Sequence, residues 1–275
     1  MLTDKFSLAP SVSVTVSVII PALNEAQNLP FVLRRIPAWV GEVILVDGHS
    51  TDDTVRVARE VWPDIRIVTQ DDCCKGAALR QGFAAATGDI IVMLDADGST
   101  DPSEMGMFIR LLRNGAHFVK GSRFLQGAGT ADISPLRQWG NLGLTLLVRI
   151  LFGCSFSDLC YGYIAFWRDL LPVLDLDADG FEIETLMNLR ALRARLKVVE
   201  VHSFEARRLS GQSHLNTFRD GWRVLLTILR ERFAPARRNL AGLDDGEVWT
   251  FPQPIQAPTR NAVLGGMRSD AGMTR

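Results

Sequence analysis

Short apolar runs closed by turn residues recur along the first half of the chain. Val14–Ile20 is β-branched and stops at Pro21-Ala22-Leu23-Asn24-Glu25, and Glu42–Val46 stops at Asp47-Gly48-His49-Ser50. Ile65–Thr69 comes next, then Ile90–Leu94 running into Asp95-Ala96-Asp97-Gly98-Ser99, then His117–Gly121 ending at Ser122-Arg123. Such runs read as strands buried on both faces. Between them the apolar positions change to helical spacing, as at Leu29, Val32, Leu33 and Ile36. Asn24 is placed to cap that first helix, and Ser50 or Thr51 the second. A third helix opens at Lys75-Gly76 and runs to Thr87-Gly88, and a fourth covers Pro102–Asn114. Strand and helix alternating at short intervals predict βαβ units: an α/β fold with a mostly parallel central sheet flanked by helices.

The second half is less regular. Pro135–Phe152 predicts a helix, Ser157–Phe166 is β-like and aromatic, Gly180–Arg195 predicts a helix and Lys197–Phe204 a strand. Thr217–Phe233 is strongly helical, with Trp222, Leu225, Leu226 and Leu229 on one face, expected in the core or an interface. Trp139, Leu142, Leu146, Leu147 and Ile150 are expected to pack internally; the alternative is cover over a site or contact with lipid. The expected organisation is a flexible tail over 1–13, a single domain over 14–233 and a disordered Gly- and Pro-rich tail over 234–275.

Composition narrows the function. At 275 residues, 47% hydrophobic and 22% charged, the chain can bury a sizeable core. A net charge of -1 gives nucleic acid no footprint. Cys73, Cys74, Cys154 and Cys160 form no C-x-x-C pair and read as reduced thiols. No segment reaches the roughly 18 apolar residues of a membrane span, since Leu142–Phe156 is broken by Arg149. With no apolar leader at the first residues, the expectation is a cytoplasmic protein, or one peripheral at the inner face of the membrane. Neither a G-x-G-x-x-G fingerprint nor a P-loop is present, so dinucleotide and P-loop chemistry lose their main support.

The candidate chemistry starts at Asp95 and Asp97. Residues i and i+2 on a strand point the same way, and ligands of open α/β sheets bind beyond the carboxyl ends of strands. Two carboxylates there suit a hard divalent cation that also takes phosphate oxygens. Taken alone, the pair reads more readily as a solvated acidic turn.

Six motifs in order change that reading: Val18-Ile19-Ile20-Pro21-Ala22-Leu23-Asn24-Glu25; Val46-Asp47-Gly48-His49-Ser50-Thr51-Asp52; Lys75-Gly76-Ala77-Ala78-Leu79; Asp95-Ala96-Asp97; Gly121-Ser122-Arg123; and Arg208-Leu209-Ser210-Gly211-Gln212-Ser213. Together they resemble a family-2 glycosyltransferase of GT-A fold, closest to the dolichyl-phosphate mannose synthase-like branch. The resemblance covers about residues 16 to 232. It implies a nucleotide-sugar donor held by Pro21, Asn24, Glu25, Asp47, Lys75, Gly76 and Asp95. It implies Mg2+ or Mn2+ on Asp95 and Asp97, with Ser99 a weak third ligand. Gly48 stands where the family often has a second acid. The resemblance also implies an acceptor phosphate on Arg123, Arg137, Arg208 and Ser213, since a guanidinium fork suits phosphate. Asp97, Arg123 and Asp158 are the expected catalytic residues.

A phosphate acceptor is already a nucleophile and needs no base, so charge neutralisation and orientation would suffice. The expected function is therefore metal-dependent, inverting transfer of a hexose from a GDP- or UDP-sugar to a polyprenyl or dolichyl phosphate. The alternative is transfer to a hydroxyl of a soluble sugar or natural product, which needs a base such as Asp158 or Glu184. A non-catalytic nucleotide-sugar-binding protein is the third reading. His49 and His214 are given no role.

Overall fold

The computed structural model describes residues 14–71, 74–213 and 215–235. The tail expected at 1–13 and residues 236–275 of the one expected at 234–275, together with Asp72, Cys73 and His214, lie outside the described residues. Among the described residues, nine strands form two sheets. β1 (Val16–Ala22), β2 (Glu42–Asp47), β3 (Arg66–Thr69) and β4 (Ile90–Met93) pair in parallel, as the apolar runs predict. β5 (Phe118–Ser122) is parallel to β8 (Val198–His202). Between β4 and β5 lies β7 (Ile164–Trp167), antiparallel to both. The order is β3-β2-β1-β4-β7-β5-β8, so the sheet is mostly parallel with one reversed strand. β6 (Gly129–Thr130) and β9 (Phe204–Glu205) make a separate two-stranded pair.

Strand alternation divides the core into two layers. Val18, Ile20, Val43, Leu45 and Val92 face one side, where they pack on α1 (Leu29–Leu33), α2 (Thr54–Val61) and α4 (Met105–Arg113). Ile19, Ile44, Val46, Ile91 and Met93 face the other. There they meet α3 (Lys75–Ala85), α5 (Pro135–Phe152), α6 (Leu171–Leu174), α7 (Ile183–Arg193) and α8 (Thr217–Phe233). Each face is covered, which is why the strands read as continuous apolar runs rather than alternating ones.

Several local expectations are corrected. Asn24 does not cap α1: Asn28 holds the cap position, and Asn24 sits in a left-handed turn (φ 57°) with its Oδ1 accepting from the Thr51 amide. Neither Ser50 nor Thr51 caps α2; Asp52 accepts from the Thr54 amide instead. Ser157–Phe166 is strand only from Ile164, and the residues before it form a loop carrying Asp158 inward. Trp139, Leu142, Leu146 and Ile150 are exposed rather than packed internally, as are Trp222, Leu226 and Leu229. α5 and α8 bury narrower stripes than their sequences offer. Among the described residues, no helix is long and apolar enough to cross a membrane.

α5 and α8 start on clean caps. Ser134 accepts from the Arg137 amide and Asn216 from the Arg219 amide. α7 and α8 are tied by Arg190, 1% exposed. Its guanidinium donates to the carbonyls of Leu174 and Asp175 and pairs with Asp177 at 2.6 Å and Glu231 at 3.2 Å. Glu231, 2% exposed, also pairs with Arg193. Arg190→Leu orphans two carbonyls and weakens the support of a buried carboxylate. It is expected to cost about 3–5 kcal/mol, read as a lower urea midpoint with an unchanged slope.

Candidate active site

A cavity of about 750 Å3 opens at the carboxyl ends of β1, β2, β3 and β4. One wall comes from the turns that end those strands: Pro21, Ala22, Leu23 and Glu25, then Gly48 and His49, then Gln70, then Asp95, Ala96, Asp97 and Ser99. Lys75, at the start of α3, closes its floor. Further lining comes from Arg137, Gly140 and Leu144 of α5, Glu184 of α7, and Thr217, Arg219 and Arg223 of α8. Glu205 and Arg208 reach in from the segment between β8 and α8.

Carboxylates converge at the end of β4, and each is met by a cation. Lys75 Nζ lies 2.6 Å from Asp95 Oδ1 and 2.7 Å from Glu184 Oε1. Burial works against the ammonium charge, but the two carboxylates outweigh it and hold Lys75 above the ordinary lysine range. Arg208 spans Glu25 Oε1 at 2.8 Å and Asp97 Oδ2 at 3.0 Å. Asp97 Oδ1 accepts from the Ser99 amide. The segment around Arg208 is strapped across the site by further bonds. The Ala206 amide donates to the Ser99 carbonyl, the Leu209 amide to Asp97, and the Asn28 side chain to Ser210.

The donor set fits a hard divalent cation. Asp95 and Asp97 offer carboxylate oxygens to the cavity, and Gly162 leaves room beside Asp95 and Glu184. A Cβ on Gly162 would come within 2.6 Å of Glu184 Oε1 and 3.3 Å of Asp95 Oδ2. Among the described residues no group of three or more His, Cys, Asp or Glu could hold a metal on its own. The pair suits an ion that completes its shell with water and substrate phosphate, as Mg2+ does.

Arg123 departs from expectation. It is 7% exposed, and each of its three guanidinium nitrogens is engaged. Nε and Nη2 grip Asp158 at 2.7 and 3.0 Å, Nη1 holds Glu205 at 3.1 Å, and Nη2 also reaches the Cys160 carbonyl. It is built into the wall and not free to clamp a phosphate. Asp158 lies behind it, fully buried, accepting also from the Arg123 amide and from Asn141. A carboxylate so occupied is not poised as a base; it fixes Arg123.

Other expected residues divide the same way. Arg137 and Ser213 line the cavity. Arg137 donates to Thr217 Oγ1 and the Leu215 carbonyl, and among the described residues no ion pair is recorded for it. Asn24 and Asp47 stay outside the lining, Asp47 accepting from the Ser50 amide. Gly76 is also outside: its amide donates to the Asp179 carbonyl, and a Cβ there would fall 2.5 Å from the Ala178 oxygen. That glycine serves helix–loop packing, and the Ala77 amide is taken by the same Asp179 carbonyl. Gln70, Glu184, Glu205, Arg219 and Arg223 line the cavity without having been expected there. Glu184 had appeared only as a base candidate, and nothing in local sequence brings the others to one place.

The family model described as Glycosyl transferase family 2 matches residues 17–174. The chain belongs to glycosyl transferase family 2. Within it, it falls in the dolichyl-phosphate mannose synthase-like branch. The undecaprenyl-phosphate mannosyltransferase of Micrococcus luteus is 30% identical over 72% of this chain and 86% of that protein. A low-salt glycan biosynthesis hexosyltransferase of Haloferax volcanii is 30% identical over 81% of this chain, which spans only 54% of that relative. Among solved structures, a glucosyl-3-phosphoglycerate synthase from Mycobacterium tuberculosis superposes with a TM-score of 0.64 at 26% identity, covering 80% of each chain. That structure holds Mn2+, UDP-glucose and phosphoglyceric acid.

The Asp158–Arg123 pair has a pH signature. Burial alone pushes the Asp158 carboxyl up, but Arg123 and the amide bonds outweigh it and hold it below the usual carboxylate range. A depressed folded-state value gives stability that is full above the unfolded-state value near ~4 and is lost as pH falls through the folded one. Asp158→Asn is expected to flatten the acid limb of a stability-against-pH curve below about pH 4. An acid limb identical to wild type would refute the pairing.

Proposed function

We propose that this glycosyltransferase moves a hexose, with inversion, from a GDP- or UDP-sugar to a polyprenyl phosphate. The strand-end wall takes the nucleotide, with Pro21, Glu25, Gln70 and Lys75 bordering it. Lys75 lies beside the position of the donor diphosphate and opposes its charge. A divalent cation, Mg2+ or Mn2+, held by Asp95 and Asp97 would neutralise the leaving diphosphate; the Mn2+ and UDP-glucose in the mycobacterial synthase support this reading.

The observation that carries the acceptor assignment is Arg137. It lines the cavity from α5 and makes no ion pair among the described residues. A half-buried guanidinium without an ion pair favours an anionic ligand. Of the two base candidates, Glu184 is held by Lys75 and Asp158 by Arg123. A phosphate oxygen attacks without a base, so orientation and leaving-group stabilisation are what the site must supply. With a cation on Asp97, Arg208 would be available to the donor or acceptor phosphates. Such an acceptor places the protein peripherally at the cytoplasmic face of a membrane. The name of the Micrococcus relative supports the same acceptor class.

The phosphoglyceric acid in the mycobacterial structure favours one second reading, a small phosphorylated hydroxy acid as acceptor. Arg137 would serve its phosphate, and Glu184 would have to leave Lys75 to act as base.

The test is a transfer assay with Mg2+ or Mn2+, a panel of GDP- and UDP-sugars, and either a short-chain polyprenyl phosphate or phosphoglyceric acid. Transfer to the polyprenyl phosphate is expected. Arg137→Ala should lower kcat/KM for it by about 10–100-fold, and Asp97→Ala should lower kcat by about 100-fold or more. Product from phosphoglyceric acid alone would reassign the acceptor. Full activity in Arg137→Ala would remove the phosphate clamp.

A further inference from the structure

We infer that Lys120 of β5 and Glu200 of β8 are positioning residues for the reaction. They set the loop 157–162, and through it the rim that Arg123 and Gly162 give the cavity. This rests on the reading of that rim as the acceptor side. Neither Lys120 nor Glu200 lines the cavity. Lys120 is fully buried on its strand, where an ammonium group loses its water. Three acceptors surround its three N–H donors: the Asp158 carbonyl, the Gly121 carbonyl at 3.2 Å and Glu200 Oε1 at 3.3 Å. The Phe156 ring lies 5.4 Å from the same nitrogen. A buried pair of this kind adds little net stability, and apolar residues of similar volume often replace it without loss. What it supplies is geometry.

The loop depends on that geometry. Between α5 and β7 the chain forms neither helix nor strand, yet Phe156, Asp158, Leu159 and Tyr161 are buried. A buried loop has no ladder to satisfy its backbone, so side chains must do it. Glu200 Oε2 accepts from the Ser157 amide at 2.8 Å and its hydroxyl at 2.9 Å, and Oε1 accepts from the Asp158 amide at 3.3 Å. Lys120 donates to the Asp158 carbonyl, and Asn188 of α7 to the Leu159 carbonyl at 3.0 Å. Asn141 of α5 accepts from the Cys160 amide at 3.1 Å, and Arg123 donates to the Cys160 carbonyl.

Lys120 and Glu200 grip the entry of the loop, and the residues that follow are the ones the cavity meets: Cys160, Tyr161 and Gly162. Asp158 also engages Arg123 at 2.7 and 3.0 Å, so a shift of its backbone carries Arg123 with it. Downstream the same shift carries Gly162, whose place beside Glu184 leaves no space for a Cβ. Pro21, Glu25 and Gln70 belong to β1 and to the turns after β1 and β3, so the wall proposed for the nucleotide does not move with this loop.

The experiment compares the full chain with Lys120→Met, Glu200→Gln and the paired Lys120→Met/Glu200→Gln. Each single change strands a buried charge; the paired change removes both, and so separates loop placement from loss of fold. Three readouts are taken: hydrogen exchange peptide by peptide, binding of UDP and GDP with Mn2+, and transfer kinetics to a short-chain polyprenyl phosphate. In the paired variant, exchange over 157–162 is expected to quicken by about tenfold or more while β1–β4 keep wild-type protection. Nucleotide affinity should stay unchanged, and acceptor kcat/KM should fall by about 10–100-fold. A merely structural role lowers the folded fraction, and so scales kcat, nucleotide-binding capacity and protection throughout the chain together. That pattern overturns the inference, as do wild-type acceptor kinetics in the paired variant. If the wild type transfers to no polyprenyl phosphate, the acceptor reading fails and the other two readouts still decide. Faster exchange confined to 157–162 with unchanged nucleotide affinity keeps the positioning role; uniform exchange or weaker nucleotide binding discards it.

Discussion

Carboxylates gathered at the end of a buried strand repel one another and lose water, and they stay charged only if cations are brought to them. That requirement organises this protein. Lys75 at the start of α3 holds Asp95 to Glu184, joining β4 to α7. Arg208 holds Asp97 to Glu25, joining β4 to the turn after β1 and drawing the 206–213 segment across the site. Arg123 does the same one layer out, between Asp158 and Glu205. Each cation serves acids from two different elements, so the walls of the cavity are registered by charge as much as by the apolar layers beneath. Charged pairs of this burial contribute little net stability; what they fix is position.

The result is a cavity with two characters. The strand-end side carries the acids and their partner cations, and the helical side carries arginines. On the strand-end side Glu25, Asp95, Asp97 and Glu184 face only Lys75 and Arg208. A diphosphate there would need a divalent cation to compensate it, while a phosphate on the helical side would meet arginine directly. Such a site gains its strength from groups fixed before the ligand arrives, since they need no reorganisation when charge moves.

The first half of the fold was legible because a parallel strand covered on both faces must be continuously apolar, and each such run ended on a turn. β1, β2, β4 and both long helices, α5 and α8, fall within a few residues of where the pattern puts them. Asp95 and Asp97 were legible for the same reason, standing one residue apart after an apolar run. Arg123 and Asp158 were seen as candidates, but not that they satisfy each other. A pairing across 35 residues leaves no trace in local spacing. Gly76 misled because a glycine at a helix start looks alike whether a phosphate or a neighbouring carbonyl comes close. Trp139 misled because helical periodicity shows that a face is apolar and not what covers it.

The reversed strand β7 has a consequence for how this site can change. Because β7 runs against β4 and β5, its beginning rather than its end lies at the cavity, and the loop entering it delivers Cys160, Tyr161 and Gly162 to the same rim that the parallel strands reach by their exits. On the proposed reading, the donor rim would be written in the first hundred or so residues, and most of the acceptor rim in the stretch from Arg123 to Gly162 and in α8. The two substrates would then be addressed by separate passages of the chain. A lineage can lengthen, shorten or recompose the later passages, and so exchange one acceptor for another, while the nucleotide cradle passes down unaltered.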